Sequence, residues 1–492
     1  MSVEVSLGDV ITHQKGFAFK SKDYQKTGVP VVRVSNFTSD SIDCSALYFV
    51  SKQIADANEN VELLPDDTVI ATVGSWPSNP ASIVGKTIRV PSDARGALLN
   101  QNAVRLRVRD GDSDDQIFLY YVLKNQRFSD YLISTAQGSA NQASITLKDI
   151  FGYRFEWPEK EKRVNVARIF DALDSKIQLN RQTNQTLEQI AQAIFKSWFV
   201  DFEPVKAKVI VKEKGGSPLV QSLAAQAMLC GAITLEQLTA LENDYRGLEA
   251  QLHPLITQRF PKQHGLDYWS PEQLQATAEL FPDALVGSEL GEVPEGWVCG
   301  SLSDIARYPS ERIDISKLTP RNYVSTENMI ESKKGITNAT ALPTVKSVPS
   351  FTKGQVLVSN IRPYFKKIWF ARHDGGRSAD VLGFESLEDG CEEFLYNALY
   401  QDRFFDYMMQ GSKGVKMPRG DKVSIMNYPM LISPVQIRNE YSRFVAQFYA
   451  YIESLLSENV TLSQLRDTLL PKLLSGEVDL SFSNEESREA TR

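Results

Sequence analysis

The residues best able to act as catalysts occur in this chain without the partners that chemistry would require. Gly85-Lys86-Thr87 resembles the end of a phosphate-binding loop, but Pro80 stands where a glycine would open the backbone cradle. Ser78-Asn79-Pro80-Ala81 resembles the Asn-Pro-Pro-aromatic motif of amino methyltransferases, yet the second proline and the stacking aromatic are missing. No GxGxxG loop marks a dinucleotide or methyl-donor site. His13, His253, His264 and His373 are scattered, without partners at metal-ligand or triad spacing, and each reads as a surface or core histidine. Cys44, Cys230, Cys299 and Cys391 form no CxxC pair, so neither a zinc site nor a disulfide frame is expected. No carboxylate pair stands out for acid–base work. The chain therefore reads as a binding or organising protein with no catalytic residues and no metal site.

What remains are side chains suited to nucleic acid. Arg, Lys, Asn and Gln can make bidentate contacts with base edges, while cations meet phosphate. In the first half the candidates are Lys15, Lys20, Lys22, Arg33, Asn36, Gln101, Asn102, Asn141 and Gln142. In the second half they are Arg321, Asn322, Arg362, Tyr364, Lys366, Lys367, Lys413, Lys416 and Arg419. Ile361-Arg362-Pro363-Tyr364-Phe365-Lys366-Lys367 is the densest cluster, with aromatics to anchor it. Each residue alone reads more often as a solvated surface or turn group, and the clusters carry more weight than their members.

A net charge of −7 argues against a nucleic-acid partner until its distribution is read. Residues 201–300 carry that whole excess, whereas residues 301–433 have a net charge of +3, so any basic surface is local. No apolar run is long enough to span a bilayer, and MSVEVSLGDV lacks the layout of a signal peptide. A cytoplasmic protein with no membrane contact is expected.

The elements that must position these residues are duplicated. Phe170, Leu173, Ile177, Asn180, Asn184, Leu187, Ala191, Ile194 and Trp198 follow heptad spacing. Adding 275 to each number gives a second seam: Val445, Phe448, Ile452, Leu455, Asn459, Leu462, Arg466, Leu469 and Leu473. Asn184 and Asn459 share a register and are expected to pin it. Pro158 and Pro434 mark the helix starts, and Pro471 is expected to end or kink the second helix. Other markers recur in order: Leu7 and Asp9 with Leu302 and Asp304, Phe118-Leu119-Tyr120 with Phe394-Leu395-Tyr396, and Arg127-Phe128 with Arg403-Phe404. Each unit is a strand-rich domain followed by a long helix. The expected organisation is a first domain over 1–157, a helix over 158–202, an acidic helical insert over 203–293, a second domain over 294–433, a helix over 434–475 and a disordered acidic tail over 476–492.

Several stretches together resemble the specificity (S) subunit of Type I restriction–modification systems, over nearly the whole chain. They are GSANQASITLKDI, LNRQTNQTLEQIAQAIFKSWFVDFEPV, SELGEVPEGW, SNIRPYFKKIWFA and LRDTLLPKLLSGEV. The resemblance implies an α+β fold in which two target-recognition domains, each reading half of a split double-stranded DNA target, are joined by two long helices forming an antiparallel coiled coil. It also implies a pair of modification (M) subunits and further restriction (R) subunits as partners. S-adenosylmethionine, ATP and Mg would belong to those partners and no cofactor to this chain, which would direct adenine methylation and ATP-dependent cleavage without activity of its own. The alternative is a scaffold whose duplicated domains bind proteins without DNA specificity; an enzyme with an unrecognised site is the weaker third. From Phe170 to Trp198 a straight helix would span about 42 Å at ~1.5 Å per residue, close to the roughly 34–36 Å of one duplex turn. The helices are therefore expected to set the unread gap between half-targets.

Overall fold

AVRLRV, which alternates apolar and basic residues, becomes the central strand of the first sheet, its arginines half-buried and its apolar residues buried. The computed structural model describes residues 3–76, 84–139, 142–240, 247–258, 269–289, 291–412, 417–475 and 477–478. Contacts divide the chain into two units, residues 1–180 with 457–492, and residues 181–456.

In the first unit, β1 (Ile11–Lys15), β2 (Thr68–Ala71), β3 (Thr87–Arg89) and β4 (Ala103–Val108) form an antiparallel sheet in the order β1-β4-β2-β3. Helices α1 (Ser113–Lys124) and α2 (Gln126–Thr135) follow. Phe118, Leu119, Tyr120 and Phe128 are buried in the core. A ribbon pairing Val3–Ser6 with Arg154–Trp157 closes the domain before α3 (Lys160–Phe199).

The second unit opens with the helices α4 (Glu203–Glu213), α5 (Pro218–Leu229), α6 (Leu235–Ala240), α7 (Leu248–Gln258) and α8 (Pro271–Leu280). Its sheet repeats the first: β5 (Ala306–Arg307), β6 (Val356–Ser359), β7 (Ile368–Phe370) and β8 (Val381–Ser386) lie in the order β5-β8-β6-β7, again antiparallel. After α9 (Glu392–Leu399) and α10 (Asp402–Gln410), Val298–Ser301 pairs with Pro429–Ile432 in a closing ribbon ahead of α11 (Val435–Ser475). The repeated markers have the same roles in both copies. Leu7 and Leu302 are fully buried, and the carboxylates of Asp9 and Asp304 accept from the backbone N–H groups of Ser6 and Ser301.

The helical insert is no separate body, because it shares one apolar core with α3, the second sheet and α11. Trp269 stacks on Trp198 at 5.6 Å and packs on Phe444 at 4.2 Å.

Each long helix gives one half to each unit. Within the first unit the halves run antiparallel: Asp174 pairs with Arg466 at 2.7 Å, and Asn180, further along α3, meets Asn459, earlier in α11. Seam residues Phe170, Ile177, Asn184, Leu187, Val445, Phe448 and Ile452 are buried, while Leu173, Ile194, Asn459, Leu462 and Leu469 are half-buried.

Three expectations need correction. Asn459 bonds Asn180, not its repeat counterpart: the Asn180 Nδ2 donates to Asn459 Oδ1 at 2.9 Å and to Glu458 Oε2 at 2.8 Å. Asn184 is buried with an Oδ1 that accepts nothing, since helices running in opposite directions do not bring repeat-equivalent positions opposite each other. Pro471 does not end α11, which continues to Ser475. Leu470 and Leu473 on either side are buried in the first domain's core, and at ~1.5–3 kcal/mol for each buried leucine they offset the ~3 kcal/mol a helical proline costs. The first helix begins at Lys160, two residues beyond Pro158, with the Glu159 carbonyl accepting from the Arg163 N–H. Of the acidic tail expected to be disordered, residues 476 and 479–492 lie outside the described residues.

Candidate nucleic-acid interface

In the first domain, backbone pairing collects four of the candidates. Lys15 ends β1 opposite Val104 at the start of β4, beside Gln101 and Asn102. The Asn102 carbonyl accepts from the Thr72 N–H, and the Thr72 carbonyl from the Ile145 N–H, next to the strand that carries exposed Gln142. Gly16 is required here, because a Cβ would lie 2.0 Å from the Asn100 carbonyl oxygen. Lys15, Asn102 and Gln142 are exposed, while Gln101 is half-buried with an Oε1 that accepts nothing. Asn141 lies outside the described residues.

A second patch lies around Tyr48. The Arg33 guanidinium sits 3.8 Å from the centre of the exposed Tyr48 ring, and Tyr48 packs on Tyr24 at 5.1 Å. Lys20 and Lys22 are exposed on the turn that leads into Tyr24. Asn36 is withdrawn as a reader: it is buried, and its Oδ1 accepts from the Arg33 N–H at 3.0 Å. Tyr48 was missed by sequence reasoning; its only signal was an aromatic residue in a polar stretch.

In the second domain the 361–367 loop is held by hydrogen bonds on several sides. The Arg362 N–H donates to the Pro418 carbonyl, and Ile361 bridges Arg419, bringing that arginine to the loop. The N–H groups of Ser332 and Lys333 donate to the carbonyls of Phe365 and Lys366. Arg362, Lys366, Ser332 and Lys333 all have φ between 50° and 62°, the left-handed region that costs a side-chain-bearing residue roughly 1–2 kcal/mol. The four therefore concentrate backbone strain at one place. Tyr364 is 49% exposed and packs on Phe365 at 4.6 Å.

The cations of this loop are not equally free. Lys366 and Lys333 both reach Asp402, at 3.0 and 2.7 Å, and hydrogen bonding from Lys333 holds that carboxyl below its ordinary range. Lys367 Nζ donates to the Thr326 carbonyl at 2.9 Å and lies 5.6 Å from the centre of the Phe365 ring. Arg419 pairs with Asp380 at 3.2 Å. Arg362 is half-buried with no acceptor for its Nε. Arg321 is exposed on a separate turn, and Asn322 beside it spends its Oδ1 on the Thr319 N–H at 2.6 Å, a turn role rather than a reading one. Lys413 and Lys416 lie outside the described residues. Lys333 was missed by sequence reasoning, although Ser332-Lys333-Lys334-Gly335 carries a turn signal.

Residues 2–189 match the domain described as the Type I restriction modification DNA specificity domain. The chain is 29% identical to the Type I restriction enzyme HindI specificity subunit of Haemophilus influenzae over 401 residues, 73% of this chain and 77% of that protein. It is 28% identical to the EcoDI specificity subunit of Escherichia coli over 211 residues, 40% of this chain and 46% of that one. Among solved structures, the S subunit of a Type I restriction–modification system from M. genitalium aligns over 96% of both chains at 11% identity, with a TM-score of 0.45.

Proposed function

We infer that this chain is a specificity subunit of a Type I restriction–modification system, a reading supported by the DNA specificity domain matched over residues 2–189 and by the relatives it resembles. Each strand-rich domain reads one half of a split double-stranded DNA target. A pair of modification subunits bound to the chain then methylates adenine at that target, and restriction subunits cleave DNA with ATP. S-adenosylmethionine, ATP and Mg act on those partners, and this chain contributes recognition alone.

The observation that carries this reading is the duplication of sheet order, closing ribbon and following helix, with a cation–aromatic patch in each copy. A protein with two similar reading domains is suited to a target with two parts. Arg362 and Tyr364 are the leading readers of the second half, because the nearby lysines are already engaged within the protein.

Electrophoretic binding of the chain assembled with its modification subunits tests this. Sequence-selective, salt-sensitive association is expected, and equal affinity for all duplexes would overturn it. Arg362→Ala should weaken specific binding by ~1–3 kcal/mol and relax selectivity in one half-target only. Mapping methylated adenines in cells with and without the gene gives the target itself.

A further inference from the structure

Arg377 is buried, at 6% exposure, and among the described residues no carboxylate pairs with it. Its Nη1 donates to the Val381 carbonyl at 2.6 Å and its Nη2 reaches the Pro309 carbonyl at 3.5 Å. Its Nε donates to nothing. The guanidinium has room only because position 383 is glycine, where a Cβ would come within 2.9 Å of Nε. Beside it opens a cavity of about 300 Å³ that is also lined by Arg312, Lys422, Tyr308 and Ser310. The Nε and Nη2 of Arg312 donate to the Ser347 hydroxyl and carbonyl at 3.1 and 2.6 Å, and the Tyr308 hydroxyl donates to the Lys422 carbonyl at 3.0 Å, which leaves Arg312 Nη1, the Lys422 ammonium and the Ser310 hydroxyl for a ligand. Among the described residues, three cations and no carboxylate line this cavity.

The nearby acids are turned to other work. Asp380 pairs with Arg419, Asp421 accepts from the Ser424 N–H, Glu385 pairs with Arg307, and exposed Glu311 does not line the cavity. Backbone carbonyls can take hydrogen bonds from a buried guanidinium, but they leave its charge uncompensated. Burial accordingly pulls Arg377 down to about 10, with no neighbouring carboxylate to raise it. In a chain with seven more acids than bases, a cavity walled by three cations has the character of an anion site.

We propose that the Arg377 cavity binds a phosphate oxyanion, held between the buried guanidinium and the side chains of Arg312, Lys422 and Ser310. At ~30 Å³ per water, the cavity accommodates such a group with part of its hydration shell. The phosphate comes either from a small free phosphate or from a DNA backbone phosphodiester, and the second source rests on the function inferred above.

Thermal melting of the full chain in inorganic phosphate, against chloride at matched ionic strength, tests the site. Phosphate should raise the melting temperature of the unaltered chain, and the shift should fall several-fold in Lys422→Ala and Arg312→Ser, whose exposed side chains can be removed without disturbing the core. No phosphate-specific shift, or the same shift in all three proteins, would overturn the proposal. Arg377→Met should abolish the shift if it folds, and the two exposed positions decide the matter if it does not. The source is read from the chain assembled with its modification subunits. A duplex that displaces phosphate, together with a salt slope lower by about one in Lys422→Ala, assigns the site to a DNA phosphodiester. A duplex that binds while the phosphate shift persists assigns it to a small phosphate. A phosphate shift with no DNA binding at all would leave the anion site standing and remove the recognition function instead.

Discussion

The Lys366 carbonyl accepts from the Lys333 N–H of a second strained loop and the Arg362 N–H donates to the Pro418 carbonyl, so hydrogen bonds hold both left-handed residues of the 361–367 segment before any ligand arrives. That arrangement separates side chains that looked equivalent in sequence. Asn36 and Asn322 spend their amides on backbone N–H groups, and Lys366 spends its charge on Asp402. Residue type alone could not sort them, because a turn and a base edge ask for the same donors and acceptors. Burial sets another residue-scale property. Glu393, in α9, is pushed up from 4.5 to about 7 by desolvation, with the charge of Glu392 adding to the rise. The folded state therefore keeps a proton that the unfolded chain releases between about pH 4.5 and pH 7, and stability falls as pH rises through that window. Urea unfolding at pH 5 and pH 8 should show this loss in the unaltered protein and a flatter profile in Glu393→Gln. Identical pH dependence in both would show that Glu393 is not the group responsible.

Arg163 and Arg438 show how much of the element scale was legible. They are 275 residues apart, the offset that relates the two helical seams, and each fastens the start of its helix to a carboxylate of its own domain. The Nε and Nη2 of Arg163 donate to Asp115, both at 2.8 Å, and Arg438 donates to Glu388, both at 3.0 Å. The repeat offset and the heptad seams could be read because they depend on local periodicity. The clamps could not, since their acids lie about 50 residues upstream and differ in type between the copies. Strand order was hidden for the same reason: β4 lies between β1 and β2 through pairings remote in sequence. Asp115 is 1% exposed, so Arg163→Ala would leave a buried charge with only Lys160 beside it, at 3.2 Å. A loss of ~3 kcal/mol is expected, the low end for breaking a buried pair because Lys160 remains. Chemical denaturation followed by tryptophan fluorescence measures it, and a change below ~1 kcal/mol would place the clamp with ordinary surface pairs.

At the scale of the whole molecule, charge and repetition point to the same division of labour. The acidic surplus lies in residues 201–300, much of it in helices that pack on α3 and α11, so the net charge of −7 says little about the faces that carry Arg33, Arg362 and Tyr364. The two domains repeat one sheet order and each runs into a long helix, and under the proposed function those helices set the length of DNA left unread. A heptad added to both helices preserves the seam, and at ~1.5 Å per residue it lengthens each by roughly 10 Å, about three base pairs at ~3.4 Å each. Seven residues inserted between Asn180 and Asn184, with seven more between Leu455 and Asn459, should therefore lengthen the gap in the methylated target by about three base pairs. Both half-sequences should stay unchanged, because the residues that read them are untouched. Seven residues in one helix alone would leave the seam on one side of the insertion, which holds the Asn180–Asn459 bond and the Asp174–Arg466 pair, out of step with the seam on the other side, and should cost assembly rather than shift the gap. Adenine mapping in cells carrying each variant distinguishes these results, and a gap that stayed fixed after the paired insertion would mean that something other than the helices sets the spacing.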